Sequence, residues 1–114
     1  MSLNPLSESG NLEKKPNDYK VVYPTTKHES HVQEFIGSLK AGDQDLVMAA
    51  IDSLGQNPRP HGHVLLKPAI PALSMLAHYR IKQGDFRIFY DIRDDNKKVY
   101  ILAVRLRNEK TYRR

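Results

Sequence analysis

Tyr79-Arg80-Ile81-Lys82-Gln83 and Phe86-Arg87-Ile88-Phe89-Tyr90 are two alternating runs separated only by Gly84-Asp85. A two-residue link with glycine in its first position is the loop of a tight β-hairpin, because glycine takes the positive φ required there without a Cβ penalty. That loop length fixes the register. Gln83 then faces Phe86, Lys82 faces Arg87, Ile81 faces Ile88, Arg80 faces Phe89, Tyr79 faces Tyr90 and His78 faces Asp91. Ile81, Ile88, Tyr79 and Tyr90 share one face, and Arg80, Lys82 and Arg87 share the other. Like charges directly opposed across a hairpin are destabilising, so Lys82 against Arg87 calls either for an anionic ligand or for both long side chains to splay into water.

Downstream, Asp94-Asp95-Asn96-Lys97 is a turn signal, and a strand over 98–104 follows it. A four-residue loop sets Val99, Ile101 and Ala103 opposite Ile92, Tyr90 and Ile88, so the apolar faces coincide. Continued without interruption, the alternation would aim Arg105 and Arg107 into the core, where unpaired guanidinium groups are too costly. A bulge, twist or strand end is therefore expected near them, turning at least one arginine onto the opposite face. The basic ending, with Tyr112, Arg113 and Arg114, is close enough to fold back across that surface.

Upstream, Tyr19, Val21 and Tyr23 alternate with Lys20 and Val22 until Pro24, which predicts a short strand at or next to a sheet edge. Thr26 and Glu29 have capping-box spacing, and Val32, Phe35, Ile36 and Leu39 form one helical stripe that ends towards Gly42. Asp43 caps a second predicted helix with the stripe Val47, Ala50, Ile51 and Leu54, closed by Gly55. Residues 57–75 carry Pro58, Pro60, Pro68 and Pro71, which predicts an ordered connection without long regular structure. Residues 1–18 hold too little apolar surface to offset the entropy of ordering and are expected to be a flexible tail before a single domain over 19–114.

The fold class predicted is α+β, with two N-terminal helices packed on one face of a small twisted antiparallel sheet. At 114 residues the chain has room for one domain. It has no cysteine, which excludes disulfides, a thiolate nucleophile and thiolate metal sites. No apolar stretch approaches the length of a membrane helix and no signal-peptide pattern opens the chain, so a cytoplasmic protein without a membrane partner is expected. The net charge is +5, and from Leu76 onward eleven Lys or Arg stand against five Asp or Glu. The cationic field thus belongs to the C-terminal third, which suits a polyanion or an acidic protein partner. His28 and His31, and His61 and His63, lack a visible third ligand, so neither a metal nor another cofactor is implied. His78, paired with Asp91 by register, is the exception, as a candidate acid or base on the cationic face.

The run from Tyr79 to Ile92 resembles the central hairpin of the RelE/ParE superfamily of toxins from type II toxin–antitoxin systems. Leu54, Asn57-Pro58-Arg59-Pro60 and Gly62 are similar to that family's segment after its second helix, and Tyr112-Arg113 to its common ending. The resemblance spans residues 19–114 and implies the same two-helix, antiparallel-sheet fold. In the RelE branch it implies ribosome-dependent endoribonuclease cleavage of mRNA, with Arg80, Lys82, Arg87, Arg107 or Arg105, and Tyr112 at the positions of the family's catalytic set. Two lysines are common in the first hairpin strand of these nucleases, whereas this chain has Arg80 and Lys82. In the ParE branch the same fold implies inhibition of DNA gyrase without RNA cleavage. A third possibility is a binding protein that keeps the scaffold without toxicity. Either toxin reading implies a cognate acidic antitoxin as partner.

Internal cleavage of RNA needs removal of a 2′-hydroxyl proton, stabilisation of charge on phosphorus and protonation of the departing 5′-oxygen. Arg87 is placed to clamp the phosphate bidentately, with Lys82 as a compact charge beside it. Tyr112 or Lys82 is the candidate base. Arg107 or Arg105 suits charge stabilisation better than proton donation, since arginine holds its proton. Phe89 and Tyr100 are candidates for stacking on a base, and Arg105, His78 and Arg113 for contacting RNA.

Overall fold

A computed structural model describes residues 18–107. Its described residues form β1 (Lys20–Val22), α1 (Thr26–Gly37), α2 (Ala41–Gln56), β2 (Val64–Ala72), β3 (Met75–Gln83), β4 (Phe86–Arg93) and β5 (Lys98–Leu106). The strands form one sheet in the order β1-β5-β4-β3-β2. β1 runs parallel to β5, and the other neighbours are antiparallel. Both helices lie on one face, giving the α+β architecture expected.

The β3–β4 hairpin has the register that its loop dictates: Tyr79↔Tyr90, Arg80↔Phe89, Ile81↔Ile88, Lys82↔Arg87 and Gln83↔Phe86. Gly84 sits at φ +60, the left-handed conformation that the first loop position requires. β5 pairs Val99 with Ile92 and Ile101 with Tyr90 as expected, but Ala103 lies opposite Phe89 and Val104 opposite Ile88. The register shift between Phe89 and Tyr90 makes Leu102 an extra residue, so the anticipated bulge falls there, one turn of the pleat before the arginines.

Val32 and Ile36 of α1 and Val47, Ala50, Ile51 and Leu54 of α2 bury their stripes on Ile81, Phe86, Ile88, Tyr90, Val99, Ile101 and Val104. Each large apolar side chain removed from water contributes roughly 1.5 to 3 kcal/mol before entropy is subtracted. The Tyr90 hydroxyl donates to Pro58 O at 2.7 Å, which anchors the Asn-Pro-Arg-Pro segment to the sheet. Arg59 then reaches Asp94 through two bonds of 3.2 and 2.9 Å, and Tyr19 donates to the same carboxylate.

Several local expectations shift. The cap of α1 is Thr25, not Thr26: its hydroxyl accepts the His28 amide at 3.1 Å, and Glu29 lies in the first turn. α1 ends at Gly37, and Gly42 and Asp43 lie inside the first turn of α2, whose N-cap Lys40 makes no side-chain capping bond. Gly55 does not end α2; it packs so closely on β1 that a Cβ there would sit 2.9 Å from Tyr19 O. Residues 57–75 contain the nine-residue strand β2 despite Pro68 and Pro71. Its pairing with β3 breaks between Leu65 and Ile70, and it is an edge strand, where proline's missing donor is tolerated.

The face away from the helices is not open throughout. Ala72 and Ala77, with Leu66 and Ile70 beside them, cover Phe89, Leu102 and Ala103 in a second, smaller core. The tip of the β2–β3 hairpin is held there by Arg105, whose Nη2 donates to Pro71 O at 3.0 Å. Its other anchor is His28, fully buried, with Nε2 2.9 Å from Ala72 O and Nδ1 2.7 Å from the Thr25 hydroxyl. A tautomer with the proton on Nε2 satisfies both contacts, since a carbonyl can only accept.

Candidate nucleic-acid interface

The Leu102 bulge brings three cations into one transverse row on the face opposite the helices. Lys82 of β3 lies across from Arg87 of β4, and Arg87 lies across from Arg105 of β5. Residues directly opposed in a sheet have Cβ atoms about 4.5 to 5.5 Å apart, and like charges at that spacing repel. Arg80 belongs to the same face, one pleat along β3, opposite Phe89.

The four side chains are held differently. Lys82 is exposed, whereas Arg80 and Arg105 are half-buried. Arg87 is only 8 % exposed. Its Nη1 donates to Gly84 O at 3.0 Å and to Phe86 O at 2.9 Å, so the guanidinium is bound to its own hairpin turn. Both protons of Nη1 are thereby used, and the Nε and Nη2 edge is the part left to address an anion. Arg105 lies over the Phe89 ring, 5.2 Å from its centroid, in addition to its bond to Pro71 O. The Arg80 Nε is buried without a hydrogen-bond partner among the described residues.

Arg107 lies past the end of β5, exposed, with its amide on Asp85 O at 2.8 Å and its Nε 3.9 Å from the Asp85 carboxylate. It is therefore at the rim of the row, beside the hairpin loop. Phe89 is wholly buried under the hairpin tip, which closes it to base stacking; its ring instead supports Arg105. Tyr100 is half-exposed and opposite Asp91. His78 and Asp91 meet as the register implies, with Nδ1 2.9 and 3.0 Å from the two carboxylate oxygens, and the His78 amide also donates to Asp91 Oδ1 at 2.7 Å. Tyr112 and Arg113 lie outside the described residues.

At the opposite end of the helix-side face, Arg59, Asp94, Tyr19 and Tyr79 form a second polar cluster that the sequence reading passed over. The Arg59 guanidinium and the Tyr19 hydroxyl hold the Asp94 carboxyl well below its ordinary value, at about 2. Arg59 also lies 5.7 Å from the Tyr79 ring centroid, and Tyr79 stacks on Tyr90 at 5.7 Å. The signal available was the Pro-flanked arginine after α2, but its carboxylate partner is 35 residues away. Among the described residues no three His, Asp or Glu side chains converge as a metal site would require, and no helix is long and apolar enough to cross a membrane.

Two helices backing a five-stranded, mostly antiparallel sheet whose far face carries a row of cations define a small basic α+β protein. The family model for the ParE toxin of the type II toxin–antitoxin system parDE matches residues 25–111. The chain belongs to this family and is a toxin of the RelE/ParE superfamily. Its fold is similar to that of the archaeal RelE–RelB complex from Pyrococcus horikoshii OT3, with TM-score 0.60 and 21 % identity over 81 % of this chain and 98 % of that one. It is also similar to the toxin–antitoxin complex RelBE2 from Mycobacterium tuberculosis, with TM-score 0.56 and 19 % identity over 79 % and 99 % of the two chains. No curated protein sequence gives a significant match.

Proposed function

We propose that this toxin is a ribosome-dependent endoribonuclease that cleaves mRNA with side-chain cations in place of a metal, and that an acidic antitoxin neutralises it in the cytoplasm. The observation that carries the reading is the Lys82, Arg87 and Arg105 row, three like charges directly opposed on adjacent strands. A phosphodiester laid across the row turns that repulsion into attraction. In the reaction the 2′-oxygen attacks the adjacent phosphorus, the bond to the 5′-oxygen breaks, and a 2′,3′-cyclic phosphate remains. The Nε and Nη2 edge of Arg87 suits the non-bridging oxygens, with Lys82 as a point charge beside it. Arg80 and Arg107 flank the row, the His78–Asp91 pair stands farther along the face, and Tyr112 is the remaining candidate base.

The gyrase-directed reading is favoured by a different observation. Arg87 is bonded inward and Phe89 is covered, so part of the face offers little to a stacked RNA base and more to a protein surface. Toeprinting of a translated message with purified toxin, run beside a gyrase supercoiling assay, separates the two. Message cleavage that is lost in Arg87→Ala and Lys82→Ala, with both variants folded by circular dichroism, supports the nuclease. Gyrase inhibition with intact message overturns it.

A further inference from the structure

β2 begins at Val64, opposite Arg80, and the chain before it turns away through Pro60 and Gly62, where the His63 amide donates to Pro60 O at 3.0 Å. A cleft of about 380 Å³ opens there, between Ser53 on α2, the loop at His61 and the β3 residues Arg80, Lys82 and Gln83. Small-molecule sites start at about 300 Å³, so the recess has the size of one. Its charge is of one sign: no carboxylate among the described residues lines it, and neither Arg80 nor Lys82 makes an ion pair among them. The Arg80 Nε is buried without a hydrogen-bond partner among the described residues. Buried donors are normally matched, and an anionic oxygen is the strongest acceptor for a guanidinium, so the fold leaves a contact for a ligand to complete.

The rest of the lining narrows the class of anion. Ala50, Pro60, Val64 and Ile81 give an apolar wall beside the cations. The Ser53 hydroxyl donates to Ala50 O at 2.8 Å and is left to accept, while the Gln83 amide can both donate and accept. A bare phosphate would leave the wall and Gln83 unused, and an aliphatic anion would leave the polar groups unmatched. We infer that this cleft binds a free nucleoside monophosphate, with the phosphate on Arg80, Lys82 and His61 beside it, and the sugar and base against the apolar wall within reach of Gln83. The site stands on its own residues, whatever reaction the toxin performs.

The test is calorimetric titration of the full chain with adenosine monophosphate, with adenosine and inorganic phosphate as controls. The nucleotide is expected to bind about tenfold more tightly than either control, since each keeps only part of the contacts. It should also slow hydrogen exchange at the amides of Ile81 to Gln83. Arg80→Gln weakens it about tenfold, the loss of one charge-assisted bond. Ser53→Trp, which fills the cleft from the exposed side of α2, abolishes nucleotide binding and leaves binding of a single-stranded oligoribonucleotide intact. Should that variant fail to fold, Arg80→Gln and the exchange protection decide the matter. Equal affinity for inorganic phosphate overturns the assignment, leaving only an anion on surface cations. So does unchanged exchange at residues 81–83, which puts the nucleotide elsewhere, or loss of oligoribonucleotide binding in a folded Ser53→Trp, which makes the cleft part of an RNA track. Message cleavage by a chain that does not bind the nucleotide sinks this site alone, and nucleotide binding by a chain that leaves message intact sinks only the nuclease.

Discussion

Arg105 lies directly across the sheet from Arg87, and it does so because Leu102 is an extra residue in β5. Without the bulge, the alternation that buries Ile101 would bury Ala103 and Arg105 against the helices. Deleting Leu102 leaves Ile101, Ala103, Val104 and Arg105 in regular alternation opposite Tyr90, Phe89, Ile88 and Arg87, so the variant is expected to fold with Arg105 still outward. It should lose about 2 to 5 kcal/mol in urea unfolding with the buried leucine; a deletion variant that fails to fold would show that the bulge itself is needed, beyond the pairing of Arg105 with Arg87.

Gly55 sets a helix preference against a close approach. Alanine in a helix interior is favoured over glycine by about 1 kcal/mol. At this position, however, the new methyl would sit 2.9 Å from Tyr19 O and 3.2 Å from Val21 Cγ2. The nearer atom is backbone, fixed by the Tyr19 amide bond to Gly55 O at 2.7 Å, so overpacking wins. Gly55→Ala is expected to lower stability by about 1 to 2 kcal/mol in urea unfolding; a stabilised variant would contradict the packing of β1 on α2.

His28 joins α1 to the hairpin tip that closes the second core. Its replacement by alanine leaves a cavity and removes the donor to Ala72 O, a loss of about 2 to 4 kcal/mol. Hydrogen exchange should localise the effect, speeding up at Ala72 through Ala77 before the β3–β4 hairpin. Uniform acceleration across the sheet would mean that the tip is not separately latched.

The Asp94 carboxyl is held at about 2 against an ordinary 3.8, chiefly by Arg59 and next by Tyr19. A depressed folded-state value means that its stabilisation is fully present above about pH 4 and is lost as pH falls through about 2. Because the group is exposed, solvent screening keeps the effect small. Asp94→Asn should unfold at lower urea than the parent near neutral pH, with the gap closing towards pH 2. A gap that stays constant with pH would show that the carboxylate charge plays no part.

The hairpin register followed from the two residues Gly84-Asp85, because loop length leaves no freedom of pairing. The stripes on Val32 to Leu39 and Val47 to Leu54 gave the helices, although their ends moved by one to five residues where neighbouring Thr25 and Thr26, or Gly37 and Gly42, offered rival caps. The cost of burying Arg105 required an irregularity, but nothing local distinguished Leu102 from its neighbours as the extra residue. Strand β2 was hidden by prolines that only an edge position permits. Alternation put Phe89 on the cationic face correctly, yet could not show that a hairpin 12 to 17 residues earlier folds over it, with Ala72 and Ala77 as the cover.

Lys82 separates the needs of folding from those of function. It is exposed, makes no ion pair among the described residues, and faces Arg87, which faces Arg105. Reversing its charge relieves one cross-strand repulsion, so Lys82→Glu should raise stability by about 0.2 to 1 kcal/mol. The same change puts a carboxylate where a phosphate is proposed to lie. RNA affinity should fall, and the log–log slope of affinity against salt should become shallower by about 0.7, one phosphate contact on a single strand. Lys82→Gln is the intermediate case, losing the contact without adding repulsion towards RNA. If Lys82→Glu is more stable and still binds RNA with the parent's salt slope, the row is only a surface irregularity and the polyanion reading of this face fails.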